Sequence, residues 1–402
     1  MTAHELQDAM HDEPWRDFVH TGPGTLAGRY LRMFWQPIGR SQDLAAGHPE
    51  PIHIMGDSFT LFRGESGTPY LVDFRCAHRG TQLSVGWVEG ESIRCRYHGW
   101  RYDGSGQCVE QPGEDPAFAS KICIRSYPCE EYLGLVFAYL GEGSPPPMRR
   151  FVDFENGFLL DATTPQIWRC NYFNRVENDP SHVPFTHRES ARRRGNTAQR
   201  MVRRVQSEET EFGVHSAVEI EDGPPQYIDF HMPNINQVKA PERRNVDGNP
   251  NDDGFRKDGR SLSVNSLFWR VPIDDESCIS FAVELIPVTG EAAEAYRRQQ
   301  QKVQSDPLDE GANWSWSDGI INGTRGSLED VDVELSAAKL FWMEDYVTQV
   351  GQGAIPDRSQ EHLVHVADES VILKRQIWQR ELRALSQGRP LKQWAEAATA
   401  RA

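Results

Sequence analysis

Apolar residues between positions 26 and 142 come in short runs, PIHIMG, FTLFRG, TPYLVDFRC, SIRCRYHGWRYD and LGLVFAYL, separated by clusters of Gly, Asp and Ser. Runs of that length between turn residues predict short β-strands, and their density predicts a small β domain. The segment GEGSPPPMRR (Gly141 to Arg150) ends the pattern, because its three consecutive prolines fix an extended backbone and remove N–H donors. A domain boundary is expected there. Beyond it, VHSAVEIED, PQYIDFHMP, LFWRVPI and CISFAVELIPV alternate as the strands of a second sheet would. VDVELSAAKLFWMEDYVTQVGQ and DESVILKRQIWQRELRALSQG read as helices, the second stopped by Gly388. Two polar stretches, 240–261 and 297–327, read as long loops, the second helical at its start. Loops of that length are lids or mobile segments, and a disordered insertion fits the first equally well. The expected organisation is a tail over 1–25, a first domain over 26–142 and a second over 150–402.

Composition narrows the partners. A net charge of −16 argues against nucleic acid or an anionic membrane, both of which need a dominant basic surface. An anionic substrate would need a local basic site. No apolar run approaches the ~20 residues of a membrane span, and the acidic start MTAHELQDAMHDEPWRDF has no signal-like apolar core, so a cytoplasmic location is expected. The seven cysteines are odd in number and scattered, which argues against a disulfide framework. Cys108, Cys123, Cys129, Cys170 and Cys278 read as small hydrophobes.

Cys76 and Cys95 differ, because each has a histidine at a fixed offset. Cys76-Ala-His78 is followed after sixteen residues by Cys95-Arg-Tyr-His98-Gly-Trp. Two thiolates and two imidazoles can hold tetrahedral zinc, or a [2Fe–2S] cluster with Cys₂ on one iron and His₂ on the other. Here each turn supplies one of each, so each loop reaches both irons. Gly80 and Gly99 permit the tight turns that bring the loop tips together.

These residues, CAHRGTQLSVG and IRCRYHGWRYD, resemble the Rieske signature of the bacterial aromatic-ring-hydroxylating oxygenases. The resemblance implies an α+β chain: an N-terminal all-β Rieske [2Fe–2S] domain followed by a catalytic helix-grip domain, an antiparallel sheet with helices. It also makes His98 the electron exit.

Residues 171–188 read NYFNRVENDPSHVPFTHR, with His182 and His187 five apart and Asp179 three before the first. Pro180 and Pro184 make a regular helix doubtful, and bent backbone can turn both imidazoles to one point. Two imidazoles and a carboxylate on one face of Fe(II) leave positions open for O₂. The segment resembles the E-N-x-x-D-x-x-H-x₄-H pattern of the same family as Glu177, Asn178, Asp179, His182 and His187, although Asn178 abuts Asp179 directly. Downstream, FWMEDYVTQVGQGAIPDRSQEHL resembles the third-ligand helix of the phthalate-dioxygenase-like branch. Asp345 matches the ligand position, with Glu344 or a solvated acidic pair as the alternatives. The family role of Asp179 is a hydrogen-bonded bridge from His98 of one chain to His182 of the next, which implies a head-to-tail homotrimer.

No G-x-G-x-x-G loop and no plant-type ferredoxin spacing occurs, so NAD(P)H would act only through a separate reductase, with or without a ferredoxin. The resemblance to the phthalate-dioxygenase-like branch implies an O₂-dependent monooxygenase that O-demethylates a methoxylated, lignin-derived aromatic acid and releases formaldehyde. A ring cis-dihydroxylase of a phthalate-like acid and a Rieske electron carrier without oxygenase activity are the alternatives. A carboxylate substrate asks for a pocket arginine, for which Arg188 and the run Arg192, Arg193, Arg194 are candidates, a solvated surface run being the other reading.

Overall fold

The computed structural model describes residues 16–178, 187–193, 202–221, 225–239, 265–304, 312–331 and 337–394. It is an α+β chain whose first part holds three small antiparallel sheets. In the first, Leu135–Tyr139 lies between Trp35–Arg40 and Cys129–Tyr132. The second runs Glu50–Ile54, Asp57–Arg63, Pro69–Asp73, Ser126–Tyr127, and the third Trp87–Glu89, Ser92–Arg94, Arg101–Asp103, Cys108–Glu110.

The two middle strands of the second sheet bury side chains on both faces, and strand alternation divides these between two cores. Phe59, Leu61 and Leu71 enter the main core, whereas Phe62 and Val72 enter a smaller one with Leu83, Ile93, Trp100 and Tyr102. Cys76 and Cys95 lie in that smaller core.

The later part is built on one antiparallel sheet. Its strands run in the order Leu159–Ala162, Cys278–Ile286, Asn265–Pro272, Ile235–Lys239, Gln226–His231, Gly213–Ile220 and Val202–Glu209, and Gln166–Trp168 also pairs with Cys278–Ile286. The helix Glu369–Ser386 packs against this sheet. Its buried residues Ser370, Lys374, Ile377, Trp378, Glu381 and Leu382 recur at helical spacing and form one stripe. Gly388, at φ +62°, follows its end.

The main core is continuous through both parts: Phe137 meets Trp269 at 5.6 Å, and Tyr30 meets Trp378 at 5.2 Å. No helix or strand occurs between Tyr139 and Val152. Among the described residues no helix is long and apolar enough to cross a membrane.

Three features depart from the sequence reading. Leu26–Arg32 is a helix within the region read as strands, started by the Thr25 hydroxyl, which accepts the Gly28 N–H at 3.1 Å. Ala312–Ile321 is a helix inside the expected loop 297–327; its Trp314 packs on Trp168 and Tyr346, so tertiary contact outweighs the weak helix preference of its Asn, Ser, Asp and Gly. Residues 16–25 are packed: Phe18 lies 4.2 Å from Phe173, and its carbonyl accepts the Tyr172 hydroxyl at 2.7 Å. The expected loop 240–261 lies outside the described residues.

Candidate metal centres

The two cysteine loops are built to one plan. In each, the glycine four residues on returns its N–H to the cysteine carbonyl: Gly80 to Cys76 at 2.9 Å and Gly99 to Cys95 at 3.0 Å. Both glycines are left-handed, at φ +76° and +77°, where a side chain would strain the backbone. In each, the arginine just before the cysteine donates to that glycine's carbonyl, Arg75 to Gly80 and Arg94 to Gly99, both at 2.8 Å. Arg94 is further anchored by Glu89 and Glu110.

The thiols of Cys76 and Cys95 are buried, at 3% and 2% exposure, whereas the histidines reach toward the surface. The His78 and His98 rings lie 4.5 Å apart, and Trp100 stacks on His78 at 4.6 Å. Tyr102 accepts the Ala77 N–H at 3.1 Å and places its hydroxyl 3.2 Å from the Cys76 sulfur. Burial pushes the Cys76 thiol up, and it pushes the Tyr102 phenol well above its ordinary value, so the phenol remains a donor. Two buried thiols and two imidazoles on adjoining loops are the donor set of a cluster in which each iron takes two protein ligands.

The second centre joins distant segments. His187 precedes the short helix Arg188–Arg193, and Asp345 lies within the helix Ala337–Val350. Across 158 residues, His187 Nε2 comes within 3.2 Å of Asp345 Oδ1. Both residues are buried, and Phe341, one turn before Asp345, stacks on the His187 ring at 4.1 Å. The other carboxylate oxygen, Oδ2, faces Asn178 Nδ2 at 3.4 Å and Arg175 Nη1 at 3.8 Å.

Glu344 points elsewhere. Its carboxylate accepts the Glu189 N–H at 2.8 Å and the Ser190 N–H at 3.4 Å, covering the start of Arg188–Arg193. Neighbouring helical residues diverge by about 100°, so only one of the pair can face His187. Asp345 is that residue. Glu177 is engaged by Arg358 and Arg375. Arg192 is exposed and paired with Glu189 in its own turn, which is the solvated reading for that residue. Asp179, His182 and Arg194 lie outside the described residues.

An imidazole and a carboxylate meeting in a buried site are the donors a ferrous ion takes. The sequence reading missed Arg175, the arginines before each cysteine, and the contact of Asn178 with Asp345. Only the repeated Arg-Cys pair left a local trace, as Arg75-Cys76 and Arg94-Cys95.

Fold and donor sets together define a two-centre protein, with a cluster loop pair in its first part and a second metal centre beside the large sheet. The Rieske [2Fe–2S] domain family matches residues 34–128. The 5,5'-dehydrodivanillate O-demethylase oxygenase subunit of Sphingobium sp. (strain NBRC 103272 / SYK-6) is 29% identical, covering 92% of this chain and 80% of its own. Phenoxybenzoate dioxygenase subunit alpha of Ectopseudomonas oleovorans is 28% identical, covering 94% and 86%. The fold matches a variant oxygenase of carbazole 1,9a-dioxygenase, solved in complex with its ferredoxin, at TM-score 0.59 and 19% identity over 99% of this chain and 97% of that one. The matched domain and the two full-length relatives make this chain an oxygenase component that carries a Rieske cluster and a mononuclear iron.

Proposed function

We propose that this oxygenase component O-demethylates a methoxylated aromatic acid of the lignin-derived biphenyl type, in the cytoplasm. In this reading, residues 26–142 and 150–402 divide the work. Cys76, His78, Cys95 and His98 hold the cluster, and His182, His187 and Asp345 hold the mononuclear iron. The approach of His187 to Asp345 carries the reading as an oxygenase, because an electron carrier has no use for a second buried donor set. The substrate class draws its support from the full-length likeness to an O-demethylase subunit.

When bound, the ferrous ion supplies O₂ activation. One oxygen atom enters a methyl C–H bond of the methoxy group, and the other leaves as water with two electrons from NAD(P)H. The resulting hemiacetal releases formaldehyde and a phenol. The protein's own part is positional. Phe341 stacks on the His187 ring, and the Asn178 amide faces Asp345 Oδ2, which leaves Oδ1 turned toward His187.

Electrons would come from a separate ferredoxin or NAD(P)H-dependent reductase and pass from His98 through Asp179 of the next chain in a head-to-tail homotrimer. A basic, aromatic rim beside the cluster loops supports docking there. Arg79 lies 5.6 Å from the Tyr97 ring and Arg96 4.4 Å from the Trp87 ring, with Tyr97 57% and Trp87 44% exposed. On a chain of net charge −16, such a rim complements the acidic surface of another copy or of a ferredoxin.

The test is a panel of methoxylated and plain aromatic acids with a surrogate reductase. Formaldehyde matching NADH consumed, with a product lighter by one CH₂, is expected. A ring product carrying two added oxygens and no formaldehyde would establish the dihydroxylase reading, which the likeness to a phenoxybenzoate dioxygenase favours.

A further inference from the structure

Arg175 lies on the short helix Tyr172–Val176, 1% exposed, with its guanidinium 3.5 Å from the centre of the Trp168 ring. Burial lowers its pKa, and the attraction of Asp345 opposes that shift. A buried guanidinium is costly unless it is paired and hydrogen-bonded. Its ion pair among the described residues is with Asp345 Oδ2, at 3.8 Å, and the same Nη1 makes a short hydrogen bond to Gln349 Oε1. Asp345 and Gln349 are one turn apart and share a face of the helix Ala337–Val350. The guanidinium is therefore fastened to that helix at two points and backed by an indole.

We propose that Arg175 is a positioning residue for the mononuclear iron site. It holds Oδ2 of Asp345, with Gln349 as its anchor and Trp168 as its platform, so that Oδ1 faces His187 before metal arrives. The proposal rests on Asp345 being an iron ligand. Without Arg175 the carboxylate loses the charge that fixes its orientation, and the site must be ordered at the cost of metal binding. Partners that hold a ligand in this way typically change metal affinity by about 10–100-fold when removed. Arg175 also ties Tyr172–Val176, which leads into Asn178, to the helix that carries Asp345, so one side chain sets the spacing of two segments at the site.

The experiment uses the full chain with its cluster loaded and its mononuclear iron removed by a chelator, titrated anaerobically with Fe(II). The cluster spectrum and Tm serve as fold controls. Arg175→Met should keep the spectrum and bind Fe(II) at least about tenfold more weakly, with Arg175→Lys recovering part of the loss. In an Asp345→Asn background, Arg175→Met should have little further effect. A folded Arg175→Met that binds Fe(II) as tightly as the parent overturns the proposal, as does an equal loss in both backgrounds. Should Arg175→Met fail to fold, Gln349→Met carries the same test, because it keeps the charge and removes the anchor. A several-fold loss of affinity supports the proposal and no change overturns it. An Asp345→Asn variant that binds Fe(II) normally would instead overturn the ligand assignment, so the two failures are separate.

Discussion

The two metal centres are assembled by opposite means. The cluster loops are local: each closes on itself through a glycine N–H, is braced by the arginine before its cysteine, and draws its thiol and imidazole from within three residues. The proposed mononuclear centre draws its donors from segments far apart in the sequence. His187 and Asp345 meet across 158 residues, and the carboxylate is held by Asn178 and Arg175 from a third segment. A local centre should tolerate changes elsewhere in the fold, whereas an assembled one should feel any change in how its helices pack.

The strongest way to break this contrast is to remove a cluster thiol. Cys95→Ser should abolish the cluster absorbance and, with it, all NADH-dependent turnover, while Fe(II) binding at the other centre persists. Loss of both centres would mean that they fold as one unit.

Next is the acidic pair. Asp345→Asn should cost several orders of magnitude in turnover and leave the Arg175 guanidinium without its ion pair, which destabilises a buried pair by about 3–5 kcal/mol. Glu344→Gln should retain turnover and lose only about 1 kcal/mol, because the amide oxygen still accepts a backbone N–H. Equal effects on turnover would contradict the division of roles between the neighbours.

A smaller effect sharpens the cluster side. Tyr102→Phe removes the hydroxyl that lies 3.2 Å from the Cys76 sulfur. The cluster should still load, and its reduction potential should fall by about 40 mV, the equivalent of one hydrogen bond of about 1 kcal/mol for one electron. An unchanged potential in redox titration would show that the hydroxyl does not reach the ligand sulfur.

The smallest effect lies on the large sheet. Burial, together with Asp161 on the neighbouring strand, raises the Glu284 carboxyl from 4.5 to about 7. The folded chain therefore holds a proton that the unfolded chain has released. The associated stability is complete below about pH 4.5 and is lost as pH rises through 7. Glu284→Gln should flatten that part of the stability profile. A profile identical to the parent's would show that Glu284 is better solvated than its surroundings imply.

How much of this could be read from the sequence follows the same division. Cys76, His78, Cys95 and His98 could be singled out as candidates because a local loop places its side chains at fixed spacing. The strands were legible where one face alternates or a short apolar run stands between turns. Ala312–Ile321 was not, because what makes it helical is the packing of Trp314 on Trp168 and Tyr346, which no local pattern encodes. At the second centre, His187 carried a motif, but the separation of Asp345 from Glu344 depended on which neighbour met Arg188–Arg193. Arg175 left no mark at all. An arginine in a short segment reads as surface until the fold closes over it, as it does over all of Tyr172–Val176.

The central claim is that one chain carries two independent iron centres, and iron content in His187→Ala tests it most directly. The parent should hold about three irons per chain, two in the cluster and one mononuclear. His187→Ala should hold about two, with an unchanged cluster spectrum and no turnover. A variant that keeps all of its iron, or loses the cluster spectrum along with the third iron, would contradict the account.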